Sequence, residues 1–158
     1  MEQVSWDDSL GFAEELNTRF GPTLFALPTE AQWEYACRAG TNSRFYTGNA
    51  EASLGGCAWY DGNSGGKTHP VGEKRPNAWG LHDTHGNLWE WCSDWYGGSY
   101  YEQSPDQDPE GTDEGVGRVF RGGCWYGILE DVRSARRNRF SPARRNDTYG
   151  CRLVCRVQ

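Results

Sequence analysis

Six cysteines, three histidines and a C-terminal run of arginines are the residues of this 158-residue chain with the most chemistry to offer. Cys37, Cys57, Cys92, Cys124, Cys151 and Cys155 are even in number, yet no two form a C-x-x-C pair. A zinc ribbon or a thioredoxin-like redox motif is therefore unsupported. Cys151 and Cys155 stand four apart in a predicted strand, about 13 Å from each other at ~3.3 Å per residue, which is beyond disulfide reach. With no secretory segment in view, the cysteines are expected as buried thiols. His82, Asp83 and His85 are metal-ligating types at close spacing, but a cluster of three is a weak signal alone.

The net charge of -6 averages two unlike regions. Residues 118–158 carry ten Arg and three acids, a balance of +7, whereas residues 1–117 stand at -13. Ten Arg with no Lys, spread among Gly and aromatic residues, read as loop-bracing forks more than as a nucleic-acid face. Trp and Tyr at eight each and Phe at six supply the core-forming surface, so disorder is excluded despite a mean hydropathy of -0.84. Gly at 21 residues is scattered without period, which excludes collagen-like and long-helical folds. No stretch approaches ~18 consecutive apolar residues and no signal peptide is visible, so a single soluble domain, cytoplasmic by default, is expected.

The elements that must position these residues are few. Ser5 with Asp8 forms a capping-box pattern that predicts a helix carrying Phe12, Ala13, Leu16 and Phe20 and ending at Gly21-Pro22. Thr29 with Gln32 predicts a second helix through Trp33, Tyr35, Ala36 and Ala39, stopped by Gly40. Beyond it, strands are predicted near 88–95, 118–126 and 149–157, separated by Gly-, Asn- and Pro-rich loops. The segment Gly97–Gly117 holds six acids and no base and reads as a solvated loop. The pattern is α+β, with two helices, a small antiparallel sheet and much irregular backbone.

Three motifs carry a resemblance. Leu27-Pro28-Thr29-Glu30-Ala31-Gln32-Trp33-Glu34-Tyr35-Ala36, His85-Gly86-Asn87-Leu88-Trp89-Glu90-Trp91 and Arg118-Val119-Phe120-Arg121-Gly122-Gly123-Cys124-Trp125 resemble the signatures of the formylglycine-generating-enzyme (sulfatase-modifying factor) family, and Pro76-Asn77-Ala78-Trp79-Gly80-Leu81 fits as well. The resemblance runs from Val4-Ser5-Trp6 to about Val154 and implies a C-type-lectin-like fold over one domain, residues 1–158. The family's leading segment has no match here, which implies a minimal version or a fragment. The family's enzymes act through a cysteine pair shortly after the Gly-Gly motif; the matching positions hold Gly127 and Val132, so no catalytic residue is expected. A second, iron-dependent branch of the family takes His ligands from a further helical domain for which this chain has no room.

The C-terminal frame Arg121-Gly122-Gly123-x-Trp125 … Val132-Arg133-Ser134-Ala135 … Arg137-Asn138-Arg139 … Pro142 … Gly150-x-Arg152-Leu153 is similar to the variable region of proteins diversified by retroelements. In that system Asn codons randomised at adenine cannot yield Lys, Glu, Gln, Met or Trp. Those types are 28 of the 158 residues, a rate giving about four in 24, yet positions 126–149 hold only Glu130. The residues between the frame positions are Tyr126, Gly127, Ile128, Leu129, Asp131, Arg136, Phe140, Ala143, Arg144, Asp147, Thr148 and Tyr149, all reachable from Asn codons. They are the expected ligand-binding set within segment 118–158, mixing aromatic anchors with charge as interface hot spots do. The implied function is non-enzymatic, receptor-like binding of a protein or cell-surface target. The alternatives are a family oxidoreductase with displaced catalytic residues, or a nucleic-acid binder through the Arg-rich end. The resemblance also implies a structural calcium at Asp83, Gly86, Leu88 and Glu90, two carboxylates and two carbonyls suiting a hard cation; no cofactor is otherwise expected.

Overall fold

The computed structural model describes residues 2–155. Its elements are α1 (Trp6–Phe20), β1 (Phe25–Ala26), α2 (Glu30–Arg38), α3 (Glu51–Leu54), β2 (Trp89–Trp95), a 3-10 turn (Tyr100–Glu102), β3 (Arg118–Arg121), β4 (Arg137–Phe140), β5 (Tyr149–Cys151) and β6 (Val154–Cys155). Both capping boxes form. The Asp8 amide donates to Ser5 Oγ at 3.0 Å and the Ser5 amide to Asp8 Oδ2 at 2.9 Å. Thr29 and Gln32 make the same reciprocal pair at 3.0 and 3.1 Å. Each box satisfies two helix-end donors from residues adjacent in sequence.

Of the predicted apolar face of α1, only Ala13 is buried, together with Ser9; Phe12 and Phe20 are exposed. The helix packs through small residues and through Asn17, whose side chain accepts from and donates to the Phe25 main chain at 2.7 and 2.9 Å. On α2, Trp33 and Cys37 are buried and Tyr35 is exposed.

The main sheet runs β4-β3-β2-β5. β4 with β3 and β3 with β2 are antiparallel, but β2 with β5 is parallel, which corrects the expectation of an antiparallel sheet. The cause is the long excursion after β3, which crosses the sheet's end before the chain returns along β2. The strand predicted over 118–126 stops at Arg121, because Gly122 and Gly123 take φ +97° and +80°, where side chains are disfavoured. The segment predicted as one strand over 149–157 breaks into β5 and β6, which join different sheets, β6 pairing with β1; positions 156–157 lie outside the described residues. Cys151 and Cys155 therefore do not share a strand face. β4 was not predicted.

Alternation along the sheet sorts the core. Trp89, Trp91 and Phe120 gather with Tyr149 on one face, Trp91, Phe120 and Tyr149 each 5.2 to 5.3 Å from the next between ring centroids. Cys92 and Val119 meet Trp33 and Cys37 on the other. On that second face Arg121 is fully buried, ion-paired to Glu34 and 3.5 Å from Glu30. Arg137 closes a two-pronged pair on the same Glu30 at 2.7 and 2.8 Å. Removing one member of a buried ion cluster strands the others, at about 3–5 kcal/mol. Arg121→Ala is expected to lower unfolding free energy by about that amount in urea titrations; a loss below ~1 kcal/mol would show the cluster to be incidental.

Candidate functional site

The excursion between β3 and β5 carries eleven of the twelve expected binding residues, Tyr149 being the first residue of β5, and its path is set by residues outside that set. Gly123 lets the chain fold onto itself: a Cβ there would come within 2.6 Å of Val132 Cγ1 and 2.9 Å of the Asp131 carbonyl. The Arg121 fork donates to the Arg136 carbonyl at 2.6 Å and the Ser134 carbonyl at 3.0 Å. The Ser134 amide donates to the Arg44 carbonyl at 2.9 Å. The Gly-Asn motif supplies the far wall. Gly86 donates to the Gly122 carbonyl at 2.7 Å and Trp125 to the Asn87 carbonyl at 2.9 Å. Gly86 has φ +77°, and a Cβ would collide with the Trp59 carbonyl, so this position requires glycine. Further along, Trp6 donates its amide to the Pro142 carbonyl at 3.0 Å, and Arg145 grips the Asp8 carboxylate at 2.5 and 2.6 Å. Those hydrogen bonds hold the Asp8 carboxyl well below the usual carboxylate range.

On this frame, Tyr126, Ile128, Phe140, Ala143, Arg144 and Asp147 are exposed, with Tyr126 at 54%, Ile128 at 56% and Phe140 at 45%. Leu129, Asp131 and Arg136 are half-buried; Leu129 packs on the Val132 cluster, and Asp131 pairs with Arg136 at 3.1 Å. Gly127, Thr148 and Tyr149 are buried, which corrects their expected display to solvent. Gly127 is enclosed by Cys124 and Asp131, and its carbonyl accepts from the Asp61 amide at 3.1 Å. Thr148 caps the turn through Asn146 Oδ1, and Tyr149 belongs to the Trp91–Phe120 core. Tyr149 nevertheless joins the exposed residues from beneath. Its ring lies 6.2 Å from Phe140, Arg144 stands 5.7 Å over Phe140, and Tyr126 and Arg144 are close enough to Tyr149 to influence its ionisation. The structure thus links Tyr126, Phe140, Arg144 and Tyr149 into one neighbourhood, with the Asp131–Arg136 pair on the adjoining turn. Arg139, assigned to the frame by sequence, is exposed on edge strand β4 and stacks at 4.5 Å over Tyr96.

The positions matching a calcium site divide. Asp83 is buried with φ +59°; its Oδ2 accepts from the Gly72 amide at 2.7 Å, and its Oδ1 has no partner among the described residues. Asp83, Leu88 and Glu90 line one cavity of about 400 Å³. Glu90 is already engaged, by Trp33 Nε1 at 2.8 Å and by Arg152 at 2.9 and 3.0 Å. Among the described residues no three His, Cys, Asp or Glu side chains converge as a metal set. The unpartnered buried Asp83 Oδ1 is of the type that suits a hard cation, whereas both Glu90 oxygens are taken by Trp33 and Arg152.

Cys37, Cys57, Cys92, Cys124 and Cys151 are poor nucleophiles where they stand. Burial pushes Cys37 and Cys124 up to about 11, Cys92 well above its ordinary value, and Cys57 and Cys151 in the same direction. Val132 is fully buried in the Phe45–Leu54 cluster.

With this geometry in hand, the comparisons are direct. The sequence matches the sulfatase-modifying factor enzyme 1-like domain over residues 1–157, and the chain belongs to that family. It is 38% identical over 153 residues to the serine/threonine-protein kinase pkn1 of Chlamydia pneumoniae, covering 96% of this chain and 23% of that protein. It is 38% identical over 166 residues to the formylglycine-generating enzyme of Streptomyces coelicolor, covering 96% of this chain and 51% of the enzyme. The chain thus spans from about a fifth to about half of the length of such curated relatives. Among solved structures, Treponema denticola variable protein 1 superposes with a TM-score of 0.93 at 34% identity, over 99% of this chain and 71% of that one. The fold is the C-type-lectin-like α+β fold of the formylglycine-generating-enzyme type, with a sheet of mixed strand direction.

His85, in the Gly-Asn motif, connects the site to pH. Its Nε2 accepts from the Tyr46 amide at 3.1 Å, and it also bonds the Val132 main chain. Burial lowers its pKa from 6.5 to about 4, so it stays neutral when folded while the unfolded chain protonates. The stability this confers is present above pH 6.5 and is lost as pH falls toward 4, on the order of 3 kcal/mol at most. Asp94, raised by burial to about 6, acts oppositely between pH 4 and 6. The expected signature is therefore a difference: His85→Gln flattens the acid limb of stability against pH relative to the parent chain. Parallel curves for the two would remove His85 from the account.

Proposed function

We propose that this chain is a non-enzymatic binding protein. On this reading, the exposed surface built from Tyr126, Ile128, Asp131, Arg136, Phe140, Ala143, Arg144 and Asp147 is a ligand-contacting display that a retroelement diversifies, and Gly127, Thr148 and Tyr149 support it from within. The observation that carries the reading is the separation of roles: the backbone of 122–148 is held by Arg121, Gly86, Arg44, Trp6 and Asp8, while the most exposed side chains make few bonds that the fold requires. The likeness to Treponema denticola variable protein 1 supports it. The partner is a protein or cell-surface target, for which the aromatic and charged mixture of the surface is suited.

An enzymatic role is disfavoured by the placement of Gly127 and Val132 at the family's cysteine positions and by the neutral, buried state of the neighbouring thiols. Incubation with a cysteine-containing sulfatase peptide and copper or iron is expected to give no formylglycine; turnover abolished by Cys124→Ser would reverse the proposal.

The display itself is tested by substitution. Tyr126→Ser, Ile128→Asn, Phe140→Ser and Arg144→Ser are each expected to change stability by no more than about 0.5 kcal/mol, the range of ordinary surface changes. A library randomised at these positions is expected to yield folded members that select different protein targets. Cooperative loss of folding in most members would sink the idea.

Asp83, Gly86, Leu88 and Glu90 would hold the calcium ion, which when bound supplies charge neutralisation and cross-links the Gly-Asn motif to the preceding loop. Calcium at 100 times its dissociation constant is expected to stabilise the chain by about 2.7 kcal/mol, with Asp83→Ala abolishing the increment. No shift in melting temperature on adding calcium or a chelator would exclude the site.

A further inference from the structure

Beside the Asp131–Arg136 turn, the C-terminal end of α2, the loop at 42–49 and Arg133 line a pocket of about 220 Å³. Its polar lining is Arg38, Asn42, Ser43, Arg44, Asn49 and Arg133, and no carboxylate lines it. Three guanidiniums sharing one small pocket repel each other, and the structure offsets this incompletely. Arg38 is held from outside by Glu34 at 2.7 Å and donates to the Ser43 carbonyl at 3.0 Å. Arg44 reaches Glu130 at 3.2 Å across an exposed pair, the kind of pair worth little in water. Arg133 donates its Nε to the Glu130 carbonyl at 3.1 Å and has no ion pair among the described residues.

The walls are fixed. The Arg44 amide donates to Asn49 Oδ1 at 2.9 Å, and the Arg44 carbonyl accepts from Ser134 at 2.9 Å, tying the 42–49 loop to the segment that follows Arg133. The volume equals roughly seven waters at ~30 Å³ each. That is too small for a whole drug-sized ligand but enough for one oxyanion and a few waters.

We infer that this pocket is a binding site for a tetrahedral oxyanion, the terminal group of a phosphate or sulfate monoester. Planar guanidinium forks pair with such oxygens two at a time, which a point charge cannot do, and the side-chain amides of Asn42 and Asn49 supply neutral donors beside them, the Ser43 hydroxyl being spent on the Phe45 carbonyl at 2.6 Å. The site draws on none of the twelve residues expected to vary, so it stands whether or not the neighbouring surface is diversified. A ligand engaging the display through its body could place an anionic group here as a constant anchor.

The test titrates inorganic phosphate and inorganic sulfate into the protein at fixed ionic strength, balanced with sodium chloride, by calorimetry and by the NMR resonances of the Arg Nε–H groups. Saturable one-site binding that shifts the Arg38, Arg44 and Arg133 signals is expected. Arg133→Ala should weaken it about tenfold, the worth of one charge-assisted pair; Arg133→Lys should fall between, and the distant Arg139→Ala should match the parent. Should Arg133→Ala fail to fold, Arg44→Gln and the parent titration carry the same readout. Phenyl phosphate and phenyl sulfate then distinguish the ester, and binding of either supports the inference. Shifts no larger than those from chloride, or equal effects of Arg133→Ala and Arg139→Ala, would overturn it.

Discussion

Arg121 sits with no solvent exposure between α2 and the chain leaving β3, and the arrangement of the binding surface depends on it. A guanidinium in that position would be costly unpaired, and Glu30 and Glu34 of α2 supply the opposing charge. Its remaining donors face outward along the chain and take the carbonyls of Ser134 and Arg136. One side chain thereby couples the helix, the central sheet and the excursion that carries the exposed residues. Arg137 extends the coupling by binding Glu30 with two prongs and the Gly97 carbonyl with its remaining nitrogen.

This constraint explains why so irregular a chain can hold a defined surface. Between β3 and β5 only four residues form a strand, so ladder hydrogen bonds cannot fix the path. Side-chain forks, the glycines at 86, 122 and 123, and the Asp8–Arg145 pair do so instead. The Arg121 fork and the glycine contacts end on backbone carbonyls and amides and are indifferent to the side chains that the excursion presents, whereas the Asp8–Arg145 pair grips one side chain outside the expected binding set. The charge asymmetry of the sequence acquires a structural reason here as well. Many of the C-terminal arginines are answered by the acidic scaffold, Arg121 and Arg137 by α2, Arg145 by α1 and Arg152 by Glu90. Arg118, Arg133, Arg139 and Arg144 have no ion pair among the described residues, and of these Arg133 lines the pocket it shares with Arg38 and Arg44.

Legibility from sequence followed the range of the interaction. The capping boxes at Ser5 and Thr29 and the stop at Gly40 were readable because donor and acceptor lie within four residues. β2 was readable from its aromatic run, and the start of β3 from its motif. β4 was not, since Arg-Asn-Arg-Phe has no strand signature and forms one only by pairing with β3. The parallel placement of β5 was likewise invisible, because it depends on where a 27-residue excursion brings the chain back. In the candidate site, the exposure of Tyr126, Ile128 and Phe140 agreed with a reading from residue type and motif frame, whereas Thr148 and Tyr149 did not. Tyr149 is reachable by randomised codons and chemically suited to display, yet its ring completes the Trp91–Phe120 cluster.

The sequence by itself determined the family, the two helices, the expectation of a glycine- and arginine-held frame, and the absence of cysteine from positions 127 and 132, since each resides in residue identity at fixed spacing. Only the tertiary structure decided which arginine meets which carboxylate, which members of the expected set reach solvent, and that Arg38, Arg44 and Arg133 converge on one pocket. The physical reason is that burial and ion pairing depend on distances between residues as many as 137 positions apart, as for Asp8 and Arg145. Those distances are set by the joint packing of helix, sheet and loop and by no local segment.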